Sequence, residues 1–237
     1  MRNIGIILAG GSGTRLGAAV PKQFLTLAGK TVLEHSADTF HSHPLIDEMV
    51  IVCASGWIDK VRTMTKDKGW SKVKHIIAGG AERYLSSLNA MELYRNSSEC
   101  NLIFHDAARP LVSAAIITDV INALDNWQAV DAAIPATDTV VLKQPEQKTI
   151  AKIPDRNQLY LEQTPQGFRK SVILEAYRLA MQDPGFKSTD DCGTVVKYLP
   201  GIPVYLIPGS HANMKLTYAE DIPVLEAIYS QLNKSEQ

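Results

Sequence analysis

Ile4-Gly5-Ile6-Ile7-Leu8-Ala9-Gly10-Gly11-Ser12-Gly13-Thr14-Arg15 is an apolar run of strand length that breaks into a glycine cluster and closes on a cation, with Pro21-Lys22-Gln23 a few residues on. A strand that ends in such a turn lets an anion approach backbone N–H groups closely, and Arg15 and Lys22 supply charge to hold it. The pattern is chemistry for a polyphosphate. Glycines alone would suffice for a plain strand-to-helix turn; the two cations are what such a turn does not need.

Two better-known glycine loops do not fit. A dinucleotide fingerprint would need glycine where this chain has Leu16, and an acid at the end of the second strand, where it has Cys53-Ala54-Ser55. A P-loop places lysine directly after its last glycine, whereas Lys22 stands well beyond Gly13 and behind a proline.

Working outward, apolar runs recur at residues 4–8, 49–53, 73–77, 101–105 and 132–135, separated by segments of helical spacing. Such alternation implies an α/β fold whose parallel sheet is covered on both faces. Thr31 is placed to cap a helix with Val32, Leu33, Ser36, Ala37 and Phe40 on one stripe, and residues 57–67 read as a connecting helix. A further helix carries Leu85, Leu88 and Met91 on its inward stripe. With 237 residues, 45% of them hydrophobic, the chain can bury a full core as one domain over residues 1–237. A net charge of −1 gives no global field for nucleic acid or membrane, so phosphate affinity must come from locally placed Arg and Lys. Three cysteines without metal-ligand spacing, no signal-like start and no apolar stretch of membrane-spanning length lead us to expect a cytoplasmic protein.

Three later segments carry candidate chemistry. Ala78-Gly79-Gly80-Ala81-Glu82-Arg83 follows the third run, and a glycine pair there lets a planar base lie on the backbone beside Arg83 and Ser86. His105-Asp106-Ala107-Ala108-Arg109-Pro110 puts an acid at a strand end, where Asp106 can hold Mg2+ whose other ligands are phosphates and water. His105 reads as a packing or orienting residue, and Arg109 could grip a phosphate or brace Asp106. In Gln163-Thr164-Pro165-Gln166-Gly167-Phe168, which returns the chain to the core, Thr164 offers a hydroxyl suited to an acceptor's phosphate or hydroxyls. Thr189 reads as an N-cap followed by Asp190 and Asp191, a structural role for those acids. Residues 213–217 read as a short strand, and 219–232 as an amphipathic closing helix. The segments 137–142 and 149–154 are β-rich around a polar turn, a hairpin that projects from the sheet and cannot bury itself alone.

Leu8-Ala9-Gly10-Gly11-Ser12-Gly13-Thr14-Arg15 with Pro21-Lys22-Gln23-Phe24, the His105–Pro110 segment, Gln163-Thr164-Pro165-Gln166-Gly167-Phe168 and Asn213-Met214-Lys215-Leu216-Thr217 resemble the cytidylyltransferases that activate sugar-alcohol phosphates. The resemblance runs from Ile4 to Asp221. It implies a Rossmann-like, mostly parallel sheet with helices on both faces, the nucleotidyltransferase fold, plus a β-hairpin arm over residues 137–162 that makes a homodimer. It implies a CTP site at Leu8, Ala9, Gly10, Gly11, Gly80, Arg83, Ser86, Asp106 and Ala107, with the Gly79-Gly80 loop reading cytosine. Arg15 and Lys22 become the catalytic cations, and Lys215, Thr164 and a partner-directed Arg156 the binders of the acceptor phosphate.

Two branches share these motifs, one acting on methylerythritol 4-phosphate and one on ribitol 5-phosphate. The opening Leu8-Ala9-Gly10-Gly11, Asp138-Thr139-Val140-Val141 and Tyr160 lean toward ribitol 5-phosphate; the His105–Pro110 segment suits both. The implied reaction is in-line attack of an acceptor phosphate oxygen on the α-phosphorus of CTP, which asks for positioning and charge neutralisation and no general base. A catalytically silent binding module of the same fold is the alternative from another class.

Overall fold

The computed structural model describes residues 1–11, 20–188 and 190–235. Arg15 and Thr189, with Ser12, Gly13, Thr14 and Leu16, lie outside the described residues.

The first run forms β1 (Arg2–Ala9), buried from Asn3 onward. A small hairpin of β2 (Thr26–Leu27) and β3 (Lys30–Thr31) turns through Ala28 and Gly29, both at positive φ (46° and 83°), the twist that two-residue hairpin turns require. Thr31 then opens α1 (Val32–Ser42) with a full capping box: its side chain accepts from Glu34 N–H, and Glu34 accepts from Thr31 N–H. The expected stripe of α1 is buried throughout.

The chain continues through β4 (Glu48–Cys53), α2 (Ile58–Asp67), β5 (Val73–Ala78), α3 (Arg83–Glu92), β6 (Cys100–Asp106), α4 (Ala114–Ala123) and β7 (Ala129–Pro135). There follow the short pair β8 (Leu142–Lys143) and β9 (Ile150–Lys152), then β10 (Tyr160–Arg169), α5 (Lys170–Ala180), α6 (Asp191–Tyr198), β11 (Val204–Pro208) and α7 (Asp221–Ser235).

Among the described residues the main sheet has the order β11-β7-β10-β6-β1-β4-β5. Its neighbours are parallel except for β10, which runs antiparallel between β6 and β7. The side chains of β1 show the two-faced burial: Ile7 and Ala9 join the cluster containing Phe40, Met49, Ile51 and Ile117, while Ile4, Ile6 and Leu8 join that of Phe104, Phe168, Ile173 and Tyr177. Each fully buried Ile, Met or Phe among them contributes on the order of 1.5–3 kcal/mol.

Three expectations change, and one segment takes a place that the sequence left open. The segment with Gln163-Thr164-Pro165 belongs to β10, an inner strand, and the pairing with β7 shifts register between Glu162 and Gln166. Pro165 has no N–H to give a ladder, so the irregularity falls where pairing would fail in any case. On α3 the buried positions are Ser86, Ser87, Ala90 and Met91, whereas Leu85 and Leu88 are only half-buried, because the polar Ser86 and Ser87 face the glycine loops and the sheet. Residues 213–217 form no strand; the segment is tied instead by Leu216 N–H to the Ala108 carbonyl (2.8 Å) and by burial of Leu216 against Leu27, Val32, Leu111 and Leu225. The cap of α6 is Asp190, whose carboxylate accepts from Gly193 N–H.

The β8–β9 ladder is shorter than the β-rich sequence around it suggests, pairing Leu142 with Lys152 and Lys143 with Ile150. Val141, Leu142, Ile150 and Ile153 stay 47–58% exposed, so the hairpin does not cover its own apolar surface within the chain.

Candidate active site

The carboxyl ends of β1, β5 and β6 open on one cavity of about 510 Å³. Leu8, Ala9, Gly10 and Gly11 line it from β1, Gly80, Arg83 and Ser86 from the β5–α3 turn, and Asp106 and Ala107 from β6. Lys22 and Lys215 complete the lining from sequence-distant segments. Most residues expected at a nucleotide site are thus brought together at the sheet edge where open α/β folds bind ligands.

Two side chains set the glycine loops. Gln23, 2% exposed, donates from Nε2 to the carbonyls of Ala9 (2.6 Å) and Gly11 (3.1 Å), tying down the exit of β1. Ser86 Oγ accepts from Gly80 N–H (3.1 Å), and a Cβ on Gly79 would stand 2.7 Å from that same oxygen. A Cβ on Gly80 would collide with Leu85 Cβ at 2.1 Å. Bare backbone is required there. At Gly11, by contrast, no described atom lies within 4 Å of an added Cβ.

The floor is a charge cluster. Asp106, 7% exposed, receives Arg83 Nε on Oδ1 at 3.0 Å and Lys215 Nζ on Oδ2 at 2.5 Å. Burial alone would raise its pKa; Arg83 and then Lys215 override that and hold the carboxyl well below the usual carboxylate range. Arg83 also gives Nη1 to the fully buried Asp191 (2.7 Å), which accepts from Tyr177 OH at 2.6 Å. Burial works against the guanidinium, but Asp191 and Asp106 keep it charged. Lys22 Nζ donates to the Leu216 carbonyl at 2.8 Å, so the segment that carries Lys215 also orients Lys22.

Behind Asp106 runs a relay of positioning contacts. His105, fully buried, sets Nε2 3.0 Å from the Arg109 carbonyl and Nδ1 3.0 Å from Thr164 Oγ1. Burial lowers its pKa to about 4, so the ring is neutral; the carbonyl assigns the proton to Nε2, and Nδ1 accepts from the Thr164 hydroxyl. Thr164 Oγ1 in turn accepts from Asp106 N–H (3.0 Å). Its single O–H is thereby spent inside the protein, and a phosphate, which only accepts, gains nothing from it. Thr164 is a positioning residue for Asp106 rather than a phosphate ligand. Arg109 does not brace Asp106 by a hydrogen bond: its Nη1 and Nη2 go to the carbonyls of Asn213 (2.7 Å) and Glu162 (3.1 Å).

Both oxygens of Asp106, the residue expected to hold Mg2+ together with phosphates and water, carry a cation: Arg83 on Oδ1 and Lys215 on Oδ2. Arg156 does not line the cavity; it sits beyond the arm in a short turn, with Nη1 on the Thr137 carbonyl at 3.1 Å.

The sequence matches the family of 2-C-methyl-D-erythritol 4-phosphate cytidylyltransferases (IspD) over residues 4–231. The chain belongs to this family. It is 43% identical to the 2-C-methyl-D-erythritol 4-phosphate cytidylyltransferase of Thermobifida fusca over 94% of this chain and 91% of the relative. It is 42% identical, over 96% of its length, to the Haemophilus influenzae bifunctional ribulose 5-phosphate reductase/CDP-ribitol pyrophosphorylase Bcs1, of which it covers 48%. In fold it is similar to the crystal structure of 4-diphosphocytidyl-2C-methyl-D-erythritol synthase from Anaerococcus prevotii, with a TM-score of 0.84 at 28% identity over 97% of this chain and 96% of that one. As an IspD-family cytidylyltransferase the chain is a CTP-dependent enzyme acting on a sugar phosphate, with the α/β nucleotidyltransferase fold.

Sequence reasoning assigned no role to Gln23, Glu162 or Gln166. Gln23 stands directly after Lys22, yet nothing in the order of residues says that its amide turns back on β1. Glu162 and Gln166 became visible only when β10 proved to be an inner strand, and they line a second, smaller cavity rather than the main one.

Proposed function

We propose that the enzyme transfers CMP from CTP to a short polyol phosphate, releasing pyrophosphate. The observation that carries this reading is the convergence of two glycine turns, Lys22 and Lys215 on one cavity beside an anchored carboxylate. A phosphate oxygen of the acceptor attacks the α-phosphorus in line, and the oxygen bridging to the β-phosphorus leaves with pyrophosphate. The nucleophile is already an anion, so the chain's task is to hold two anions together and neutralise charge as it develops. Lys22, with Arg15, does this at the triphosphate; Lys215, kept in place by Asp106, does so at the acceptor phosphate. Mg2+ enters bound to the triphosphate, as part of the nucleotide substrate.

The acceptor we place first is methylerythritol 4-phosphate, which the family description and most of the compared relatives name; this reverses the sequence-based lean to ribitol 5-phosphate. One relative keeps ribitol 5-phosphate as a second reading, the Haemophilus protein named for CDP-ribitol, at nearly the same identity as the Thermobifida enzyme. The exposed apolar side chains of the arm support a homodimer through residues 137–162, with Arg156 offered to the neighbour's acceptor phosphate. Initial rates with CTP and each acceptor at matched concentrations decide the order: a higher kcat/KM for methylerythritol 4-phosphate supports the first reading, and a higher value for ribitol 5-phosphate replaces it with the second. No turnover of either would revive the silent binding module.

A further inference from the structure

Both lysines of the main cavity stand on segments with little regular structure of their own. Lys22 opens a single turn, Lys22–Phe24, and Lys215 lies in residues 213–217, which form no strand. A lysine side chain is long and rich in rotamers, so an ammonium kept at a fixed point depends on how firmly its backbone is held. Lys22 leans on the same segment as Lys215, because its Nζ donates to the Leu216 carbonyl (2.8 Å). What fixes residues 213–217 therefore orders both cations.

Leu216 N–H on the Ala108 carbonyl is one tie, and Asp221, at the start of α7, supplies another. Its Oδ2 accepts from Thr217 N–H at 2.7 Å and from Tyr218 N–H at 2.8 Å. A capping side chain ordinarily serves N–H groups in the helix's own first turn, as Ser113 does for Ile116 on α4 and Asp190 for Gly193 on α6. Glu34 on α1 reaches back, but only to the single N–H of the capping Thr31. Asp221 goes a residue farther and takes two groups that precede its helix, and Thr217 is itself on the lining of the main cavity. A carboxylate gives these bonds the strength of a charged acceptor. The rest of α7 backs the same place: Leu225 is buried with Leu216, with Leu27 and Val32 just past the Lys22 turn, and with Leu111, while Ile222 and Tyr229 pack against that cluster.

We infer that Asp221 is a positioning residue for cytidylyl transfer: it anchors the Lys215–Thr217 segment to α7 and, through the Leu216 carbonyl, keeps Lys22 in place as well. The inference rests on the cytidylyl-transfer reading above and deepens it, by giving a part in the reaction to a residue outside the cavity lining. A misplacement of catalytic groups by a fraction of their bond lengths is costly in rate even when the cause lies away from the reacting atoms. Because one anchor serves two cations, its loss should be felt toward CTP and toward the acceptor together.

The test is steady-state kinetics of the full-length enzyme with CTP and the better of the two polyol phosphates, well below the melting temperature of each variant. Asp221→Ala should lower kcat/KM for both substrates by about tenfold or more, the loss of hydrogen bonds to a charged acceptor, and Asp221→Asn, which keeps an accepting oxygen in place, should recover most of it. Ser113→Ala removes the cap of α4 and is the control for stability alone: it should lower the melting temperature and leave both kcat/KM values within about twofold. If Asp221→Ala does not fold, Asp221→Ser, which keeps a polar side chain at the helix start without the reach of the carboxylate, takes its place with the same expected losses. Hydrogen exchange of the unliganded protein, read by mass spectrometry, needs no turnover: Asp221→Ala should speed exchange at residues 215–218 and also at 22–27, and Ser113→Ala at neither. Unchanged kcat/KM in the Asp221 variant, a loss matched by Ser113→Ala, or unchanged exchange at 22–27 would overturn the inference and leave cytidylyl transfer intact. Absence of turnover in the unsubstituted enzyme would instead overturn the functional reading, with exchange still reporting the anchor.

Discussion

Lys215 Nζ lies 2.5 Å from Asp106 Oδ2, although 109 positions separate the two in the chain. The contact joins the strand end that floors the main cavity to the segment that also holds Lys22 through the Leu216 carbonyl. Position, rather than proton transfer, is what this pair supplies. Asp106 is ionised far below neutral pH, so its ion pairs are fully formed above the ordinary carboxylate range and fail only as pH falls well below it.

If Asp106 and Lys215 act as one unit, Asp106→Asn and Lys215→Met should each lower kcat/KM roughly hundredfold, and the double variant should lose little more than the worse single one. A double-mutant cycle in purified enzyme measures this; losses that multiply would show two independent contributions. Arg83 retains Asp191 in Asp106→Asn, so that variant should still fold.

The glycine turns separate a binding role from a folding role. Gly11→Ala should leave thermal stability nearly unchanged, since a Cβ there meets no described atom, while CTP affinity falls because the methyl enters ligand space. Gly80→Ala should destabilise the protein, because its Cβ would strike Leu85. Calorimetric titration with CTP alongside thermal melts distinguishes the two; full CTP affinity in Gly11→Ala would remove that turn from the phosphate site.

Gln23→Ala should free the carbonyls of Ala9 and Gly11, lowering stability by about 1–3 kcal/mol for the bonds lost at a buried site. The KM for CTP should rise in the same variant while the acceptor KM does not. A rise confined to the acceptor would place Gln23 elsewhere in the mechanism.

Asp131, 1% exposed, is pushed up to about 8 by desolvation and by the nearby Glu162, from an ordinary 3.8. Its protonated form is therefore favoured in the folded state, so it costs nothing below about pH 4, destabilises progressively as pH rises toward 8, and by no more than about 1.4 kcal/mol per pH unit. Asp131→Asn, which can still accept from Gln166, should raise the melting temperature more at pH 8 than at pH 5. An equal shift at both values would contradict a protonated Asp131.

Much of this was legible in the chain. The alternation of apolar runs fixed the parallel strands, the capping of α1 by Thr31 followed from local chemistry, and the glycine turns, Lys22, Asp106 and Lys215 met at one cavity as their motifs implied. What sequence could not carry was long-range hydrogen bonding. Thr164 carries a hydroxyl that looks available for a phosphate until the backbone of Asp106 and the ring of His105 claim it. Asp106 reads in the sequence as an unpaired acid, and only the fold brings Arg83 and Lys215 onto its two oxygens. The placement of β10 inside the sheet was hidden because Pro165 reads locally as a breaker, and only pairing on both sides makes it a strand.

The most direct test of the central claim is phosphorus NMR of the purified enzyme with CTP, Mg2+ and the two polyol phosphates in separate tubes. We predict that, with at least one acceptor, the CTP signals give way to pyrophosphate and a CDP-polyol diester in equal amounts, and that Lys22→Ala slows this roughly hundredfold. CTP that persists with both acceptors, at the rate of a tube without enzyme, would contradict the account.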